Sequence, residues 1–334
     1  MEKDIESPDQ GEVFGRSWAW FWLILPPLVM FVVPTGIIQF MITPGWSPHD
    51  FAASFAEGSD VLAGHISHRM VYAAMAYFHV AVCLCATLFF WDQLRGFPQF
   101  LRHRAYAFMI SEAVFFLGIW LFWRGPEVAL YRLSYLNIKE LLLRTEAGAD
   151  ITTGLVTKLS MFATVPQGFG VVAVIVAVGV AGSVAGNLSE ARESEWRQRF
   201  AVRVHTLQRC FLGLSAVLVT STLTMMLFFQ FPAELAADSN TKMVLSHYAR
   251  GLTVFWGMVY TLTLIATFAP AAVFLRNTLR RQQQGVGSPE EFREWVAQKV
   301  LVSPQRVLGN LAALLAPVLA GLLGTLLKSL AGGG

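Results

Sequence analysis

Apolar residues in this chain run in blocks of about twenty, and short charged patches separate the blocks. A block of that length crosses a hydrocarbon core about 30 Å thick when it coils as a helix. Six such blocks read as spans, at 17–42, 69–91, 104–123, 164–186, 210–231 and 251–275. The predicted fold class is therefore all-α, a polytopic integral membrane bundle of about six transmembrane helices. A polar N-terminal tail, 1–16, precedes the transmembrane domain, 17–275. A C-terminal region, 276–334, follows it.

Finer patterning adds detail. The first span opens with Trp18, Trp20 and Trp22, a common interfacial anchor, and contains Pro26, Pro27 and Pro34, which predict a kink. Between the third and fourth spans, Val128, Leu130, Leu133, Leu136 and Leu141 recur at helical spacing. That predicts an amphipathic helix over 126–145, on the membrane or packed on the bundle. Segment 187–209 is densely charged and is expected to extend spans four and five as helix beyond the bilayer. Near the C-terminus, 307–327 carries no charge, and its leucines and small residues sort onto different faces. By length it is a seventh span. By its two faces it is an interfacial helix, or one that packs on copies of itself.

Composition supports the membrane reading. Hydrophobic residues make up 55% and charged residues 14%, against roughly 25% charged in soluble domains. The net charge of +3 is too small to suggest a nucleic-acid partner. Cys83, Cys85 and Cys210 lie in or beside apolar spans and fit no metal or redox spacing, so they read as inert thiols. Residues before the first span are acidic on balance, and no secretory signal peptide is expected. The N-terminal tail, 92–104, 187–209 and 276–334 hold 17 of the 25 Lys and Arg residues. The positive-inside rule then puts both tails in the cytoplasm, with a bacterial inner (plasma) membrane as the expected location.

Candidate chemistry centres on histidine. His65 and His68 stand at the head of the second span, and His79 lies in its middle. An ionisable residue inside a hydrocarbon span is costly and marks a functional position. Counting from Arg69, His79 sits about 15 Å below one membrane face. Counting from Arg104, Glu112 sits about 12 Å above the other. The two share a level, and consecutive spans usually pack side by side. His79 and Glu112 are therefore expected to approach one another as a structural pair, an ion- or proton-handling position or a gate. His65, His68 and His247 form a weaker candidate metal site, because imidazole suits zinc, copper or iron. No cofactor is expected beyond that remote metal or a haem, and a haem would lack a second central histidine.

Two further patterns bear on function. Ala177, Ala181, Gly182 and Gly186 build a small-residue ridge on span four, suited to close helix packing within one chain or between copies. Ser215, Thr220 and Thr224 make span five rich in hydroxyls, which either bond back to their own helix or line a pore. Phosphate-binding loops, nucleophile elbows and zinc-helix motifs are absent from the sequence, so an enzyme has no catalytic constellation to stand on. The leading expectation is an oligomeric membrane channel or pore-type effector. Besides lipid, it would bind copies of itself and a cytoplasmic protein or small-molecule ligand at 187–209 and 276–306. A metal- or haem-dependent membrane enzyme using the outer histidines, and a structural subunit of a larger membrane complex, are the alternatives.

Overall fold

The computed structural model describes residues 59–122, 152–185, 193–236, 239–285, 289–296 and 312–322, together with Val29, Gly309 and Asn310. These residues are almost entirely helical. The elements are α1 (Ser59–Arg95), α2 (Gln99–Phe122), α3 (Thr152–Val184), α4 (Glu193–Leu235), α5 (Ser239–Gly285) and α6 (Pro289–Trp295), followed by the short apolar helix α7 (Ala312–Leu322). The expected first span at 17–42, the tail 1–16 and the amphipathic helix at 126–145 lie outside the described residues.

Four of these helices are long and apolar enough to cross a membrane: Ser67–Arg95, Thr164–Val184, Glu195–Glu234 and Ser239–Gln283. The chain is thus a helical membrane protein, and four spans rather than six meet that measure among the described residues. The expected span 104–123 is helical as part of α2 but is not one of the four. α4 and α5, at 43 and 47 residues, exceed the roughly 20 that a bilayer needs.

Helix order differs from sequence order. α4 and α5 pair most extensively, as neighbours joined by a short connection should. α3 then packs along α1, α2 and α4, whereas α1 and α2 touch each other little. Small residues explain why α3 takes that place. Ala173, Ala177 and Ala181 are buried on it. A Cβ added at Gly182 would lie 2.8 Å from the Phe108 ring, so only glycine lets α2 approach this closely. The small-residue ridge therefore packs within the chain. Gly186 lies outside the described residues.

α7 lies against α4 and α5. Ser215 on α4 donates a hydrogen bond to the Ala313 carbonyl. A Cβ at Gly257 on α5 would lie 2.7 Å from the Pro317 carbonyl oxygen, and one at Gly321 would lie 3.2 Å from the Thr253 carbonyl oxygen. The seam on the bundle thus runs through Ala313, Pro317 and Gly321. Leu315, Leu319 and Leu322 point outward.

At the end of the bundle that carries α6, an aromatic cluster joins α6 to α4. Trp196 stacks on Phe200 with centroids 5.0 Å apart, and Trp295 lies 5.9 Å from Trp196. Arg197 sits over the Phe292 and Trp295 rings. Nearby, the buried Arg203 donates to the Val184 carbonyl at 3.1 Å, closing the C-terminal end of α3 with a positive charge.

Candidate functional site

The site grows from His79, which is 0% exposed on α1. Its Nδ1 lies 2.8 Å from Oγ1 of Thr220 on α4. Its Nε2 lies toward α3: a Cβ at Gly170 would be 3.5 Å from that atom, and the Pro166 carbonyl, one turn earlier, is a second acceptor for the ring. Cys83, one turn along α1, places its Sγ 3.5 Å from Nε2. A neutral imidazole has one N–H, and the Thr220 hydroxyl has one proton. Two arrangements satisfy this geometry. In one, Nδ1–H donates to Thr220, whose hydroxyl donates to the Val217 carbonyl at 2.9 Å. In the other, Nε2–H donates to Pro166 and the threonine hydroxyl turns to donate to Nδ1. A doubly protonated ring would donate to both acceptors.

One residue further along α4, Ser221 opens a second cluster. Its hydroxyl donates to Oε1 of Gln167 on α3 at 2.6 Å and lies 3.0 Å from the Tyr260 hydroxyl on α5. Tyr260 itself donates to Gln167 Oε1 at 3.2 Å. Gln167 Nε2 is buried with no hydrogen-bond partner among the described residues. Together the two clusters join α1, α3, α4 and α5 through one polar node in the apolar interior. Pro166 suits this place, because a proline inside a helix removes a backbone bond of its own helix and loosens its geometry locally.

Glu112 is elsewhere. It is 0% exposed on α2, one turn beyond Phe108 and Met109 on the stripe that faces α3. Its two carboxylate oxygens are buried and make no hydrogen bond among the described residues. His79 is bonded to Thr220 instead, so the two form no hydrogen-bonded pair. The physical reason is helix order: α3 is packed against both α1 and α2, which themselves meet little.

The hydroxyl-rich span is internal. Thr220, Thr222 and Thr224 donate to carbonyls three or four residues earlier on α4, and Ser215, Thr220 and Thr224 are all buried. Within one chain they line no open passage among the described residues. Thr220 combines its backbone bond with the contact to His79.

The metal candidate is dispersed. His68 Nε2 lies 2.9 Å from the Leu227 carbonyl oxygen, and its ring meets Phe231 edge-on. His247 is exposed on α5, and the His65 side chain lies outside the described residues. Among the described residues, no three His, Cys, Asp or Glu side chains gather as a metal would require.

Sequence reasoning named His79 and Thr220 but did not join them, and it missed Gln167 and Tyr260. A glutamine beside a proline inside an apolar block was the available signal for Gln167. Tyr260 gave none, since an aromatic residue in a span reads as packing. No known protein family, curated protein or solved structure matches this chain.

Proposed function

We propose that this chain is a pore-type membrane effector that works as an oligomer, and that the His79–Thr220 bond with the Ser221–Gln167–Tyr260 cluster is the latch holding its resting state. The observation that carries this reading is the node itself, a set of hydrogen bonds joining four helices deep in an apolar bundle. Interhelical hydrogen bonds in membranes contribute only about 0.6 kcal/mol each on average. A latch of three or four such bonds is firm at rest and weak enough for a ligand to release. In the resting state the single chain has no passage along its hydroxyls among the described residues, so the pore would form between copies or on separation of α3 from α4.

The continuity of α4 and α5 supports control from the polar end. Both helices run unbroken from the charged, aromatic end of the bundle to the node. A partner or small molecule bound at 187–209 and 276–306, on the side that the charge bias assigns to the cytoplasm, would act on Thr220 through a stretch of α4 without proline and on Tyr260 through α5, which carries Pro270 on the way. Mass measurement of the detergent-solubilised protein tests the assembly. The reading expects a defined oligomer, and a strict monomer at all concentrations contradicts it. A structural subunit of a larger complex is the second reading. Co-purification of a stoichiometric partner and absence of any flux would select it.

A further inference from the structure

A cavity of about 490 Å³ lies between α4, α5 and the chain that leads into α7, within the range of about 300–1,000 Å³ that ligand pockets occupy. Phe211, Phe268, Ala272 and Leu314 are among its apolar walls, and Gln208 and Asn310 supply its amides. It opens sideways on the bundle, where Ala272 is exposed, so what reaches it first is the hydrocarbon of the membrane.

The charge at one end of the cavity is of one sign. Arg276, exposed, stands four residues beyond Ala272 on the same stripe of α5, one turn or about 6 Å past the cavity. Arg280 is one turn further on that stripe. Glu193, Glu195 and Glu234 lie near the two ends of α4, and Glu290, Glu291 and Glu294 lie on α6, so the stretches that form the walls themselves carry no carboxylate. Residues 196–233, 239–285 and 296–334 contain no Asp or Glu. An apolar slot that faces lipid, with two amides inside and arginines at its end, complements a molecule with acyl chains and an anionic head.

We infer that the cavity between α4, α5 and α7 is a specific site for an anionic membrane phospholipid. An acyl chain fills the slot beside Phe268 and Leu314, the phosphate lies over Arg276 and Arg280, and Gln208 and Asn310 bond the ester region between them. Because Leu314 and Asn310 form one wall, the lipid also holds α7 against the bundle. Nothing in this inference depends on the pore reading.

Native mass spectrometry of the delipidated full-length protein, titrated with phosphatidylglycerol and with phosphatidylcholine of identical chains, tests it. The wild type should retain one phosphatidylglycerol per chain in preference to phosphatidylcholine. R276Q and R280Q should each weaken that preference about fivefold, the effect of one basic residue at an anionic surface, and R276K should keep it. A272W, which fills the slot, should abolish retention, whereas V273W, at the same height on another exposed face, should not. Equal retention of the two lipids by the wild type overturns the inference, as does full retention by a folded A272W. If A272W does not fold, the two arginine variants decide, and an unchanged preference in both overturns it.

Discussion

Nδ1 of His79 lies 2.8 Å from Oγ1 of Thr220, joining residues 141 positions apart in sequence across two buried helix faces. Thr220→Val keeps the shape of the side chain and removes the hydroxyl. One ring nitrogen of His79 then loses its partner, at a cost of about 1 kcal/mol. Thermal unfolding in detergent should show the loss, and Thr220→Ser should restore most of the stability. Equal melting of the wild type and Thr220→Val would mean that the bond contributes nothing.

Glu112 behaves differently because its carboxyl has no hydrogen-bond partner among the described residues. A buried polar group without a partner costs stability. Glu112→Leu should therefore raise the melting temperature, by an amount equivalent to about 1 kcal/mol or more, and Glu112→Gln should change it little. If the carboxyl is retained for function, the more stable Glu112→Leu protein should be the less active one. A fall in stability for Glu112→Leu would reveal a partner.

Gly257 controls the seating of α7. The 2.7 Å separation involves the Pro317 backbone oxygen, which no side-chain rotation relieves. Gly257→Val should displace α7, and hydrogen exchange over 312–322 should speed up while the interior of α4 and α5 stays protected. Unchanged exchange in α7 would show that the seam tolerates a larger residue.

The aromatic cluster fastens α6 to the base of α4. Trp196 is buried, and Trp196→Ala removes its stack with Phe200 and its contact with Trp295. A loss of about 3–5 kcal/mol is expected for so large a truncation in a packed site. Limited proteolysis should then open the chain near 289–295. Trp295→Ala, at a half-buried position, should be milder and release α6 without lowering the melting temperature as far.

Hydropathy made α1, α3, α4 and α5 legible, because a bilayer imposes a length that a sequence displays directly. The charged run at 193–209 was legible as helix extending α4 for the same reason. Contacts between helices were less so. Neighbouring spans were expected to touch, which paired His79 with Glu112. Close packing through Ala173, Ala177, Ala181 and Gly182 puts α3 beside both α1 and α2. That order depends on which faces fit, a three-dimensional property that no spacing along the chain encodes. The seam of α7 shows the same limit on a smaller scale. The small residues of 307–327 fall near one another in sequence, Ala312, Ala316 and Ala320 with Pro317 and Gly321 beside them, and of these five only Pro317 and Gly321 are buried. A proline beside a glycine in α5 packs as closely as an alanine row does.

Ion release from proteoliposomes tests the central proposal most directly, comparing the wild type with a Thr220→Val, Tyr260→Phe double variant. The account predicts slow release from the wild type and several-fold faster release from the variant, because both substitutions remove latch hydrogen bonds and keep side-chain volume. Release no faster than from protein-free vesicles, for both proteins in verified membrane-inserted form, would contradict it.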